Sequence, residues 1–189
     1  MAVKIVMGVS CSGKTKFIKE HFPNWSHHSI GEIQRRLRKE EFPMVGIEML
    51  IKANEQIKEL VVRDLQVGRD VVMEHTLFKA KRRIGYVEEF KKYTDEPIDI
   101  YLLYPTEEEL KANVEAAPNL NENDIPYLLR EMKEIEIPNI AEGYGHIYIV
   151  TNGVVTEHIS DRDETIIHQA EKELKAEEEQ FRKTEYTRI

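Results

Sequence analysis

The chain has 189 residues, 41% of them hydrophobic and 33% charged, a composition that fits one globular domain with its own core. No apolar run approaches the ~20 residues needed to span a bilayer, and a formal net charge of −8 argues against broad electrostatic binding of nucleic acid. The single cysteine, Cys11, cannot form an internal disulfide, so the sequence reads as cytoplasmic with no membrane partner.

Met1–Met7 is too short for a signal peptide, and Val3–Met7 reads as a first strand that runs into a glycine loop. Lys14–His21 then forms a helix that Pro23 ends, and Trp25–Ile30 forms a second strand. A basic helix follows over Gly31–Glu41, stopped by Pro43. A longer helix from Ile47 to Gly68 carries one apolar stripe of Ile47, Leu50, Ile51, Ile57, Leu60, Val61 and Leu65. Val71-Val72-Met73 is a short buried strand that leads into Glu74, and a helix over residues 79–93 turns Tyr86, Phe90 and Tyr93 inward.

Ile98–Tyr104 is the next strand, and Thr106 with Glu109 has the spacing of a reciprocal capping box. Residues 117–123 are turn formers without an apolar period and predict an exposed, mobile loop, after which Asp124 caps a helix with Pro126 in its first turn. His146–Val150 is the last strand, closed by Asn152-Gly153, and a charged helix from Asp161 has Ile166, Ile167, Ala170 and Leu174 as its apolar stripe and frays beyond Lys175. Strands alternating with helices predict an α/β fold with a parallel sheet covered on both faces and ligands at the carboxyl ends of its strands.

Gly8-Val9-Ser10-Cys11-Ser12-Gly13-Lys14-Thr15 matches G-x-x-x-x-G-K-[ST] between a strand and a helix. Gly8, Ser10, Cys11, Ser12, Gly13, Lys14 and Thr15 therefore form a phosphate-binding loop: backbone amides and a helix N-terminus face the phosphates, Lys14 reaches the outer ones, and Thr15 holds Mg²⁺. Cys11 fills the loop without a catalytic role. Glu32, after the second strand, and Glu74, after the third, are the acids placed to emerge beside this loop. Two basic runs, Arg35–Lys39 and Lys79–Arg83, either face an anionic substrate or are solvated helix faces. The first 100 residues carry 18 Lys and Arg against 15 Asp and Glu, and the remainder 9 against 20, so cationic sites lie in the first half.

The phosphate loop, Glu32-Ile33-Gln34-Arg35, Val71–Thr76 and Pro138–Tyr144 resemble the P-loop kinases related to bacteriophage polynucleotide kinase, with zeta-toxin and gluconate kinases more distantly similar, over about residues 1–150. The resemblance implies a P-loop NTPase fold with a parallel five-stranded sheet, helices on both faces and a small lid at about 115–125. It implies a kinase domain over 1–160 with a charged helix, 161–189, appended to it. ATP and Mg²⁺ follow as cofactors, and a hydroxyl of a polynucleotide end, a nucleoside or a small metabolite as acceptor.

By the same resemblance Glu32 is the general base and Arg35 binds the substrate, although another register puts Gly31 in the acid's place. Glu74, His75 and Thr76 stand where the family has an aspartate before a threonine, which orients the substrate or its arginine. Arg82 or Arg83 corresponds to a basic position on the next helix, and Asn113 to an asparagine before the lid. Relatives carry arginine in the lid, whereas Glu115–Asn123 has no basic residue. Arg130 swinging in, an arginine from a partner or second subunit, and a slow or degenerate enzyme are the three competing explanations. A nucleotide-binding regulator with weak or no phosphotransfer is the alternative reading.

Overall fold

The computed structural model describes residues 1–42, 44–118 and 120–186. Six strands, β1 (Val3–Met7), β2 (Ser26–Ser29), β3 (Val71–His75), β4 (Ile98–Leu103), β5 (Ile147–Thr151) and β6 (Val154–Glu157), join in the order β2-β3-β1-β4-β5-β6. The first five are mutually parallel and β6 runs antiparallel to β5. The helices are α1 (Lys14–His21), α2 (Ile30–Glu40), α3 (Ile47–Gln66), α4 (Ala80–Phe90), α5 (Glu107–Glu115), α6 (Ile125–Lys133) and α7 (Thr165–Tyr186). None is long and apolar enough to cross a membrane, among the described residues.

Side chains alternate along β1, and this alternation sorts the core into two layers. Val3, Ile5 and Met7 enter a large cluster with Ile33 and Leu37 of α2, Ile57 and Val61 of α3, and Phe90 of α4. Val6 points the other way, to a smaller cluster with Phe17 and Ile18 of α1. A parallel sheet needs cover on both faces, and these two layers provide it.

The expected five-stranded sheet gains a sixth strand. Asn152-Gly153 does not close β5 but turns it: φ is 50° at Asn152 and 71° at Gly153, positive at both central residues as a type I′ hairpin requires. Hairpin geometry lets β6 add antiparallel to the edge, although Val154 and Val155 stay exposed and leave it without the apolar signal of a buried strand.

Several local expectations shift for physical reasons. In α3 the buried row is Met49, Ala53, Ile57, Val61 and Leu65, while Ile47 and Ile51 of the expected stripe face outward. Thr106 accepts the amide of Glu109 at 3.2 Å, but Glu109 does not return the bond, because its carboxylate accepts the Asn152 amide at 3.0 Å. Asp124 does not cap α6. Its carboxylate accepts the Asn121 amide at 2.9 Å, closing a capping box around a 3-10 turn at Glu122–Asp124. That turn and partly buried Leu120 give structure to a segment expected to be a bare loop. Pro43 and Asn119 lie outside the described residues. α7 continues past Lys175 to Tyr186 instead of fraying there.

Arg83 is completely buried. Its Nε and Nη2 each donate to the Glu142 carboxylate at 2.7 Å, and Nη1 donates to the carbonyls of Leu77 at 3.0 Å and Phe78 at 3.1 Å. Glu142 also accepts the Asn139 amide at 3.0 Å, so the Pro138–Tyr144 segment is tied to the chain just after β3. Arg83 is thereby removed from the candidates for substrate binding.

Candidate active site

The phosphate loop lies between β1 and α1, as its motif requires. Gly8 has φ +152°, and a Cβ there would sit 2.6 Å from both the Leu103 carbonyl and Ser12 Oγ, so no other residue fits. Gly13, at φ 89°, starts α1 in the left-handed region, and Asn113 of α5 braces the loop by donating to the Cys11 carbonyl at 2.9 Å. Burial pushes the Cys11 thiol up, which keeps it protonated and agrees with a filling role.

Lys14 is buried and donates to the loop carbonyls of Gly8 at 3.0 Å and Val9 at 2.7 Å. Burial pulls its ammonium down to about 8, against the opposing pull of Glu74 and Glu131. Ser12 Oγ is buried without a hydrogen-bond partner among the described residues. A buried ammonium held only by carbonyls, an orphan hydroxyl and the unpaired first amides of α1 form a cradle that phosphate oxygens fit.

Glu74 is the decisive acid. Rather than following β3 it lies within the strand, 8% exposed, and its carboxylate accepts the Thr15 hydroxyl at 3.0 and 3.1 Å. His27 of β2 donates to the same carboxylate from Nε2 at 3.0 Å. Burial pushes the Glu74 carboxyl up, but the His27 bond, the Lys14 charge and the Thr15 bond prevail and hold it low. The carboxylate is thus held ionised against the loop hydroxyl. Thr15 and Glu74 offer the hard oxygens that Mg²⁺ takes alongside phosphate oxygens. Among the described residues no group of three or more His, Cys, Asp or Glu could hold a metal unaided.

His27 had no sequence signal beyond a polar strand. The alternation of β2 sends His27 to Glu74 and His28 to the opposite face, where Nε2 meets Asp64 of α3 at 2.8 Å. His75, next to Glu74, accepts the Thr76 amide at Nδ1 at 2.8 Å, which leaves Nε2–H for Asn54 Oδ1 at 3.1 Å. Tyr86 donates to the same oxygen at 2.8 Å.

Burial pulls His75 down to about 3, so it is neutral in the fold but protonates near 6.5 when unfolded. A depressed folded value means stability that is complete above pH 6.5 and drains as pH falls toward 3. From pH 7 to pH 5 the loss is about 2 kcal/mol. Urea titrations at the two pH values should record it, and His75→Asn should flatten that dependence.

The remaining candidates make no hydrogen bond or ion pair with the loop among the described residues. Glu32, in the first turn of α2, and Arg35, one turn on, are exposed and make no hydrogen bond or ion pair among the described residues. Arg130 is exposed and lies over the Tyr127 ring at 5.5 Å. Its neighbour Glu131 accepts the Tyr127 hydroxyl at 2.7 Å. Beside the loop a cleft of about 320 Å³ is lined by Gly13, Phe17, His21, Asn113, Asn152 and Gly153.

No protein-family model matches the chain, and no curated protein matches it. Solved structures do. A protein described as a kinase from Chloroflexus aurantiacus superposes with a TM-score of 0.61 at 14% identity, covering 79% of this chain and 87% of that one. A gluconokinase from Sinorhizobium meliloti gives 0.53 at 16% identity, with 79% and 82% covered. A chain of the Pnkp1/Rnl/Hen1 RNA repair complex gives 0.56 at 15% identity, with 70% of this chain matched to 44% of that one. The chain therefore shares its fold with solved structures described as kinases.

Proposed function

We propose that the protein is an ATP-dependent phosphotransferase that moves a γ-phosphoryl group to a hydroxyl, on a polynucleotide end, a nucleoside or a small metabolite. The contact of Thr15 with Glu74 carries this reading, because it joins the phosphate loop to the strand-borne acid that a magnesium nucleotide needs. The kinase names of the structural neighbours support it. Bound Mg²⁺ neutralises charge on the phosphoryl oxygens. Lys14 exchanges the carbonyls of Gly8 and Val9 for the outer phosphates, Thr15 and Glu74 hold the metal, and His27 keeps Glu74 oriented. The cleft beside Asn113 and Asn152 suits the nucleoside.

On the acceptor side Glu32 takes the hydroxyl proton and Arg35 binds an acceptor phosphate, both being solvent-facing and unpaired among the described residues. Glu32→Gln should leave ATP affinity unchanged and lower transfer by about 10²–10⁴, measured as label passed from γ-labelled ATP. Full activity in that variant removes Glu32 from the mechanism.

A specific observation favours a second reading. Arg130 is engaged with Tyr127, and Glu115–Asn123 holds no basic residue to take its place, an arrangement suited to a nucleotide-binding module with weak transfer. Incubation with labelled ATP, Mg²⁺ and, separately, 5′-hydroxyl oligonucleotides, nucleosides and sugars separates the two. Acceptor-dependent transfer supports the kinase, and tight ATP binding without transfer supports the module.

A further inference from the structure

A groove of about 530 Å³ opens between α3 and α4, floored by His75 and Thr76 immediately after Glu74. Part of its lining is apolar, the outward-facing Ile47 and Ile51 with partly buried Leu50 and Phe78. The rest is mostly cationic: Lys58, Lys79, Lys81 and Arg82 line it, with Glu55 as the one acid of the groove lining. Apolar surface for bases beside cations for phosphates is the pairing that a single-stranded nucleic-acid chain fits.

Three of those cations are already paired: Lys79 with Glu136 at 3.1 Å, and Lys81 and Arg82 with the chain's own C-terminal helix. Lys81 Nζ lies 3.1 Å from the Glu173 carboxylate and 2.7 Å from that of Glu177, and Arg82 Nη2 lies 3.3 Å from Glu177. Leu174, between the two acids in sequence, lines the same groove. The hold is light. Ala170 is the one fully buried residue of α7 among those described, and a cleft of about 410 Å³ remains where α7 meets α4. Exposed ion pairs add little net attraction, and a helix whose described residues include one buried side chain belongs to the less stable part of a fold.

We propose that α7 is a displaceable acidic strap: Glu173 and Glu177 occupy Lys81 and Arg82 in place of the phosphates of an anionic acceptor chain, and entry of that chain lifts the helix. The inference rests on the phosphotransfer reading only for the occupant's role as acceptor. It explains how an acidic protein keeps a cationic groove from indiscriminate binding, since any ligand must first outcompete an attached anion.

The test uses the full chain and a fluorescein-labelled single-stranded oligodeoxynucleotide as probe. Glu173→Gln with Glu177→Gln opens the strap while preserving side-chain shape. If the groove is open about a tenth of the time in the parent, the double variant binds the probe about tenfold more tightly at low salt. The gain disappears at high salt and when Lys81→Ala and Arg82→Ala are added. Hydrogen exchange of α7 amides rises when the parent binds the probe. Unchanged affinity, a gain that survives loss of Lys81 and Arg82, or unaltered α7 exchange overturns the proposal. Calorimetry of ATP on the same proteins keeps the two questions apart: absent nucleotide uptake sinks the kinase reading, whereas the strap stands or falls on the probe alone.

Discussion

Lys14→Ala should lower phosphotransfer at least about a hundredfold and weaken ATP binding in the same protein. The ammonium is buried, and its described hydrogen-bond partners are the carbonyls of Gly8 and Val9, which it can surrender to phosphate. A preorganised donor aimed at developing charge is worth about 10²–10³ in rate when it alone is removed. Glu74 deepens the loss here, because its charge acts on Lys14 and bears more strongly on the incoming phosphates once the ammonium is gone. Label transfer gives the rate and titration calorimetry the affinity, with circular dichroism to show that the fold persists. Unimpaired ATP uptake by this variant would contradict the assignment of the loop.

Loss of one partner of the Arg83–Glu142 pair should cost about 3–5 kcal/mol, the largest stability effect expected in the molecule. Both side chains are fully buried, and the guanidinium makes two bonds to the carboxylate and two to backbone carbonyls. Arg83→Met strands the Glu142 charge and frees the Leu77 and Phe78 carbonyls. Glu142→Gln strands the arginine. Arg83→Met with Glu142→Leu removes both charges, so its loss should be smaller than the sum of the single losses, a coupling that a double-mutant cycle in urea measures directly. Since Leu77 and Phe78 follow Glu74 by a few residues, the single variants should also loosen the groove beside the phosphate loop. Near-additive single losses would show that the pair is not a unit.

The physics of the pair also separates Arg83 from Arg82. The two adjacent arginines read alike as part of one basic run, yet one is locked in the interior and the other meets α7 at the surface. Helical geometry sends neighbouring residues about 100° apart, so their fates depend on the direction of the core, which is a property of the assembled helices.

Much of the scaffold was legible from local pattern. Val3–Met7 and Lys14–His21 have the bounds their apolar spacing and glycine loop imply, and Gly8 is required by a backbone that admits no Cβ. These are short-range matters of period, turn chemistry and steric exclusion, which a sequence carries in contiguous residues. The hairpin signal Asn152-Gly153 was present too, but β6 has no buried face to announce it as a strand.

Only the tertiary structure decided which charges meet. Thr15, His27 and Glu74 lie on three elements far apart in sequence, and the lateral order β2-β3-β1 brings them within hydrogen-bond distance. The same assembly laid the acids of α7 on Lys81 and Arg82. Spacing along a chain fixes the face on which a side chain stands, whereas the partner it finds depends on which other element packs there.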